Sequence, residues 1–229
     1  RVFSGDLPNI DHLDEYTPSL TTRVFDDRNE VIAEFSIERR ALLPLGEIPA
    51  NMQNAVLAIE DTAFFDHWGF SIKGVGRALV RNLLGRRKAQ GGSTITQQLA
   101  KLIFLTPEKK ISRKIKELIL SLQIERKFSK KEILQMYLNE IYFGEGAYGV
   151  SAAAKLYFGR KVQDLTLAEC AMMAGFISSP ATYSPFNHPD RARVRRYLVL
   201  ERMKNEGFIT PEEMDKANAE PLPEKKSAF

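Results

Sequence analysis

At 229 residues, 44% hydrophobic and 27% charged, the chain has a globular composition, which excludes a disordered, collagenous or coiled-coil protein. Its length fits one large domain or two small ones, with a core burying about 70% of the unfolded surface. The net charge of +4 permits an anionic partner, while a lone cysteine, Cys170, excludes an intramolecular disulfide and a Cys-based zinc site, and the three scattered histidines, His12, His67 and His188, show no metal-ligand spacing.

In chain order, residues 1–21 read as polar and irregular, with Pro8 and Pro18. Residues 22–38 read as a hairpin, Arg23–Phe25 and Val31–Phe35 flanking the turn-forming Asp26-Asp27-Arg28-Asn29. From Pro49 the pattern is helical. A periodic run covers Asn51–Phe65, and a second opens at Ser71 and stops at Gly85. Ser93 and Ser112 precede further apolar stripes. Capping boxes are predicted at Ser129/Glu132, Thr166/Glu169 and Thr210/Glu213, with Pro211 at a first helical position. The apolar helix Leu167–Ile177 makes Cys170 a buried small hydrophobe. Three spans result: 1–45 as an N-terminal segment with the hairpin, 46–220 as a mostly α domain, and 221–229 as a linker tail. The chain begins at Arg1 rather than Met, as expected of a fragment or processed product. No apolar run approaches the ~18 residues that span a bilayer and no signal peptide is seen, so any anchor is expected upstream of Arg1.

The basic residues are clustered. Between Arg81 and Lys131 fourteen cations face three acids, giving this segment +11 and leaving −7 for the remainder. Within it lies Leu99-Ala-Lys-Leu-Ile-Phe-Leu105, apolar apart from Lys101. Apolar residues among cations suit an anionic membrane surface or a phosphate-bearing ligand; taken alone, an ordinary core stripe beside solvated lysines is the commoner case. Nucleic-acid binding lacks support, since no reader motif is seen and aromatics are not interleaved with the cations.

Several motifs fail on context. Gly144-Glu-Gly146-Ala-Tyr-Gly149 matches G-x-G-x-x-G but follows the helical stretch Ile133–Phe143 rather than a strand, so it reads as a tight loop between helices. No P-loop and no G-x-S-x-G elbow occur. No Ser is followed three residues on by Lys, which removes the acylation site of penicillin-binding enzymes.

Four stretches carry chemistry. In Glu60-Asp61-Thr-Ala-Phe64-Phe65-Asp66-His67-Trp68-Gly69 two acids close an apolar helix and aromatics follow. Such surroundings disfavour a charged carboxylate and raise it toward general-base range; local capping by Asp61 and His67 is the simpler alternative. In Gly91-Gly92-Ser93-Thr94-Ile95-Thr96-Gln97-Gln98 two glycines run into a helix start rich in donors, suited to phosphate or sugar, and a Ser93 N-cap accounts for part of it. In Arg113-Lys114-Ile-Lys116-Glu117 the spacing places Arg113, Lys114 and Glu117 on one helix face, as a surface ion pair or as a cation cluster for a diphosphate. Lys130–Asn139 reads as a capped, structural helix.

These four stretches, in this order, resemble glycosyltransferase family 51, the peptidoglycan glycosyltransferases, and a fifth motif matches from Arg195 to Met203. The resemblance covers roughly residues 20–205, departs at Gln135 where the family usually has Glu, and in Thr22–Arg40 is closest to class A bifunctional penicillin-binding proteins. It implies a lysozyme-like, mostly α fold with a small membrane-proximal lobe containing Leu99–Leu105. It also implies polymerisation of lipid II into glycan strands by an inverting displacement that expels undecaprenyl diphosphate. Glu60 matches the base; Arg113 and Lys114 would neutralise the diphosphate, with Glu117 orienting them or holding a divalent cation, Mg or Mn. Asp61, His67, Ser93, Thr94, Gln97, Gln98 and Lys101 would line the substrate side. No organic cofactor is implied. The implied partners are lipid II, the lipid-linked strand, the outer face of the bacterial inner membrane, and a transpeptidase module C-terminal to this chain. The rivals are a muramidase-type hydrolase, which needs a general acid but no cation cluster, and a non-catalytic membrane-surface module.

Overall fold

The structure is a computed structural model that describes residues 22–25, 31–35, 42–71, 92–105 and 111–227. Strands β1 (Thr22–Phe25) and β2 (Val31–Phe35) pair antiparallel, Thr22 opposite Phe35, as the hairpin pattern predicts. The turn between them, the irregular N-terminus, Glu38-Arg39-Arg40 and the helix expected over 71–85 lie outside the described residues.

The body is helical. A 3₁₀ turn at Leu45–Glu47 leads into α1 (Ala50–Glu60), followed by α2 (Ile95–Phe104), α3 (Ile111–Lys127) and α4 (Lys130–Glu140). A two-stranded ladder of β3 (Tyr142–Gly144) and β4 (Ala147–Tyr148) leads to α5 (Gly149–Phe158). After a second 3₁₀ turn, Val162–Asp164, come α6 (Leu167–Phe176), α7 (Pro180–Tyr183), α8 (Pro189–Asn205) and α9 (Pro211–Ala219). The glycine-rich stretch is thus a tight connection between helices, as read, with a short ladder added. The three capping boxes form as predicted, and a fourth, Thr94/Gln97, starts α2.

Helix α6 is the axis of the core because it is apolar all round and needs cover on every side. Ala168, Met172, Met173 and Phe176 are buried against α1 and α8, and Cys170 is fully buried, its thiol pushed up to about 12 by the loss of solvent. A second group, α2 with α3 and α4, packs together and joins the rest where α4 meets α5. Motif four is structural, as its pattern indicates: Asn139 Nδ2 donates to the carbonyl of Leu43 while its Oδ1 accepts from the Leu43 N–H. Gln135 Oε1 accepts from the Leu45 N–H at 2.8 Å. That acceptor needs an oxygen and not a charge, which is why an amide serves at this departure from the family pattern. Residues 221–227, read as a linker, have no regular structure but lie against the body, with Ser227 N–H donating to Leu156 and Lys226 paired with Glu145 at 2.7 Å.

Candidate active site

The apolar periodicity runs on to Phe65, yet α1 ends at Glu60. Asp61 leaves the helix at φ −161°, and its carboxylate explains why. Asp61 Oδ2 accepts the first N–H of α2, from Ile95 at 3.0 Å, and lies 2.8 Å from Nε2 of His67. A carboxylate on the free N–H groups of a helix start also gains from the helix dipole. The loop is pinned again where Thr94 Oγ1 donates to the carbonyl of Gly69 at 2.7 Å. Gly69 is at φ +83°, and a Cβ there would meet the Ser121 carbonyl at 3.0 Å, so the turn requires glycine.

Asp61, His67, Thr94 and Gln97 are therefore engaged with one another. Thr94, not Ser93, is the N-cap of α2: its hydroxyl accepts from Gln97 N–H while Gln97 Oε1 accepts from Thr94 N–H. Thr94 and Gln97 are buried, and the contacts they make here are those of a helix cap.

Glu60 points the other way. Gln98 Nε2 donates to Glu60 Oε2 at 2.8 Å, and Tyr137 O–H donates to Gln98 Oε1 at 3.0 Å. Burial pushes the Glu60 carboxyl above the usual carboxylate value; the Gln98 hydrogen bond and the charge of Arg195 oppose this, and Asp61 reinforces it. The three aromatics expected to shield it divide: Phe64 is fully buried, but Phe65 and Trp68 are 55% and 75% exposed. Arg195, in the fifth motif but without an assigned role, is held by its Nε donating to the Gly175 carbonyl at 3.1 Å and by the Tyr183 ring 5.2 Å away. Gly175 leaves the space it occupies, since a Cβ would meet Arg195 Cγ at 2.9 Å.

The cation cluster forms as its spacing predicts and joins the second motif. Glu117, 4% exposed, accepts from Lys114 Nζ on Oε2 at 2.7 Å and is ion-paired through Oε1 with Arg113 Nε at 3.2 Å. Lys114 Nζ also donates to Ser93 Oγ at 2.8 Å. Of the two roles open to Glu117, orienting the cations fits this geometry. Both its oxygens are engaged by cations. Lys101 is exposed near the end of α2, apart from these contacts. Sequence reasoning missed a brace beneath the loop: Glu125 Oε1 accepts from Thr96 Oγ1 at 2.5 Å and Lys130 Nζ at 2.7 Å, and Lys130 lies 4.5 Å from the Phe64 ring centre. No local signal marks it, because its members lie on three helices.

Glu60, its carboxyl raised by burial, reaches from α1 to Gln98 of α2, and the cation cluster of α3 reaches Ser93 at the start of the same helix, an arrangement suited to group transfer. The family described as Transglycosylase matches residues 28–204, and the chain belongs to it, a peptidoglycan glycosyltransferase domain. It is 46% identical over 221 residues to Penicillin-binding protein 1A of Aquifex aeolicus (strain VF5), covering 96% of this chain and 30% of that protein. It is 44% identical over 218 residues to Penicillin-binding protein 1A of Vibrio cholerae (strain El Tor Inaba N16961), covering 95% and 26%. The crystal structure of Penicillin-Binding Protein 1A from Haemophilus influenzae superposes with a TM-score of 0.53 at 25% identity, over 93% of this chain and 22% of that one. The chain thus spans less than a third of the length of these relatives.

Proposed function

We propose that this domain polymerises lipid II, transferring the lipid-linked strand onto the 4-hydroxyl of an incoming lipid II with inversion and release of undecaprenyl diphosphate. The observation that carries this reading is that Glu60, raised by burial and held by Gln98, and the Lys114–Glu117–Arg113 cluster, held by Ser93, both contact the start of α2. Glu60 takes the proton of the attacking hydroxyl, and Lys114 and Arg113 meet the charge that develops on the departing diphosphate. A hydrolase expels a neutral sugar and has no use for the cations, so this cluster favours the transferase over a muramidase. Gln98 and Lys101 face the substrate by this reading, and Asp61, His67, Thr94 and Gln97 act by shaping the loop.

A lipid-linked substrate requires contact with the bilayer. Leu102, Ile115 and Leu118 are exposed on α2 and α3 and are read as the surface meeting the outer face of the inner membrane. None of the described helices is long and apolar enough to cross it. A transpeptidase module is proposed for the parent protein, in keeping with the greater length and the names of its relatives.

Incubation with lipid II tests the reading. Long glycan products on a gel, with release of undecaprenyl diphosphate, are expected; cleavage of preformed peptidoglycan without polymer would establish the muramidase instead.

A further inference from the structure

Tyr137 has no role in the mechanism above, and its position calls for one. It is fully buried on α4, and its hydroxyl donates to Gln98 Oε1 at 3.0 Å. A buried phenol needs a partner, but here the partner's other end is the only side-chain donor recorded on Glu60 among the described residues. A glutamine amide can turn by half a revolution and exchange its oxygen for its NH₂. Turned one way, Gln98 offers a donor to Glu60; turned the other, it offers an oxygen that an ionised carboxylate repels.

We propose that Tyr137 is a positioning residue that acts through Gln98, fixing the amide so that its NH₂ faces Glu60 and holds the base ionised and aimed at the acceptor hydroxyl. Three helices contribute one member each: α4 the phenol, α2 the amide, α1 the carboxylate. Burial and the charges of Glu60 and Asp61 push the Tyr137 phenol well above its ordinary value, so it keeps its proton and remains able to donate. When Glu60 takes the hydroxyl proton it becomes a donor itself, and the preference for this amide orientation is lost. The chain of contacts is thus matched to the ionised base. The other charges acting on Glu60 are Arg195 from α8 and the adjacent Asp61.

The inference rests on the proposed function, and the test separates the two. Tyr137→Phe keeps the ring that fills the core and removes only the hydroxyl. Its polymerisation of lipid II is measured from pH 4 to 9, and the Glu60 carboxyl is titrated directly by carbon-13 NMR of glutamate-labelled protein. Expected are a rise of about one pH unit in both the acid limb and the titration, equivalent to a tenfold change in the ionisation equilibrium, with KM for lipid II within about twofold. Gln98→Met, which cannot donate, should shift both at least as far, and the double variant should shift no further than Gln98→Met, because Tyr137 acts only through the amide. An unmoved limb and titration in folded Tyr137→Phe, or additive shifts in the double variant, would overturn the relay and leave Tyr137 as packing. If the unaltered chain makes no polymer, the functional reading fails, and the NMR titration alone decides the relay. If Tyr137→Phe does not fold, a titration of Gln98→Met that stays where it is in the unaltered chain overturns the relay, and one that rises upholds its step from amide to base.

Discussion

A carboxyl that burial pushes up is one the folded chain holds more readily protonated, and Glu60 is in that position. Its folded value lies above its unfolded one, so the stability it contributes is present below the unfolded value and is lost as pH rises through the folded one. At neutral pH the ionised base therefore works against the fold. Glu60→Gln should lower turnover about 10²- to 10⁴-fold, the usual cost of losing a general base, and the acid limb should vanish from any residual activity. Its melting temperature should equal or exceed the parent's at pH 7 to 8, and that difference should shrink toward pH 4. Lys114 leads to a separate expectation. Its ammonium is half-exposed between Ser93 and Glu117, free to meet an anion, so Lys114→Ala should weaken binding of the phosphoglycerate inhibitor moenomycin in direct titration; unchanged affinity would remove Lys114 from the site. The contacts among Arg113, Lys114 and Glu117 were legible because all three fall on one face of one short helical motif. Arg195 and Tyr137 were not, because their meaning depends on partners distant in sequence, as with Tyr137 and Gln98, 39 residues apart.

At the scale of elements, the loop from Asp61 to Gly69 keeps its shape through α2. Asp61 is the keystone, accepting from Ile95 N–H and from His67. Asp61→Asn preserves the volume but removes the charge facing the helix start, and its NH₂ must point at one of two donors. We expect a loss of about 1–3 kcal/mol, since hydrogen bonds to charged groups are worth that much, measurable by denaturant unfolding, together with reduced turnover as Glu60 loses its neighbour's support. An unchanged stability would show that the contact is incidental. The capping boxes at Ser129, Thr166 and Thr210 were readable because both partners lie within four residues. The end of α1 was legible at the acid pair Glu60-Asp61, although apolar spacing continues to Phe65; the bond from Asp61 to Ile95 that holds the chain there was not. The start of α2 moved from Ser93 to Thr94 for a similar reason: either hydroxyl can cap, and Lys114 takes Ser93.

For the whole molecule, the charge bias read from the sequence and the exposed apolar residues converge on α2 and α3. The run Leu99–Leu105 is not uniform. Leu99 and Ala100 are fully buried, Ile103, Phe104 and Leu105 pack partly against the core, and Leu102 is 40% exposed. Periodicity identified the stripe but could not tell its inner from its outer edge, since that depends on where α3 and α4 lie. Phe104 is thus a poor probe of the membrane, as a charge there would disturb core and surface together. Leu102 separates the two. Leu102→Asp places a carboxylate on a surface expected to meet anionic headgroups, removing apolar contact and adding repulsion, so binding to phosphatidylglycerol vesicles should fall several-fold while the melting temperature stays within a few degrees. Leu99→Ala, by contrast, leaves a cavity in the core and should cost about 2–5 kcal/mol in unfolding free energy, with vesicle binding by the folded fraction unchanged. Binding of the parent should weaken as salt is raised, because the cations beside Leu102, Ile115 and Leu118 are exposed to screening. Full vesicle binding by Leu102→Asp would move the membrane contact off this face, and a collapse of its melting temperature would place Leu102 in the core.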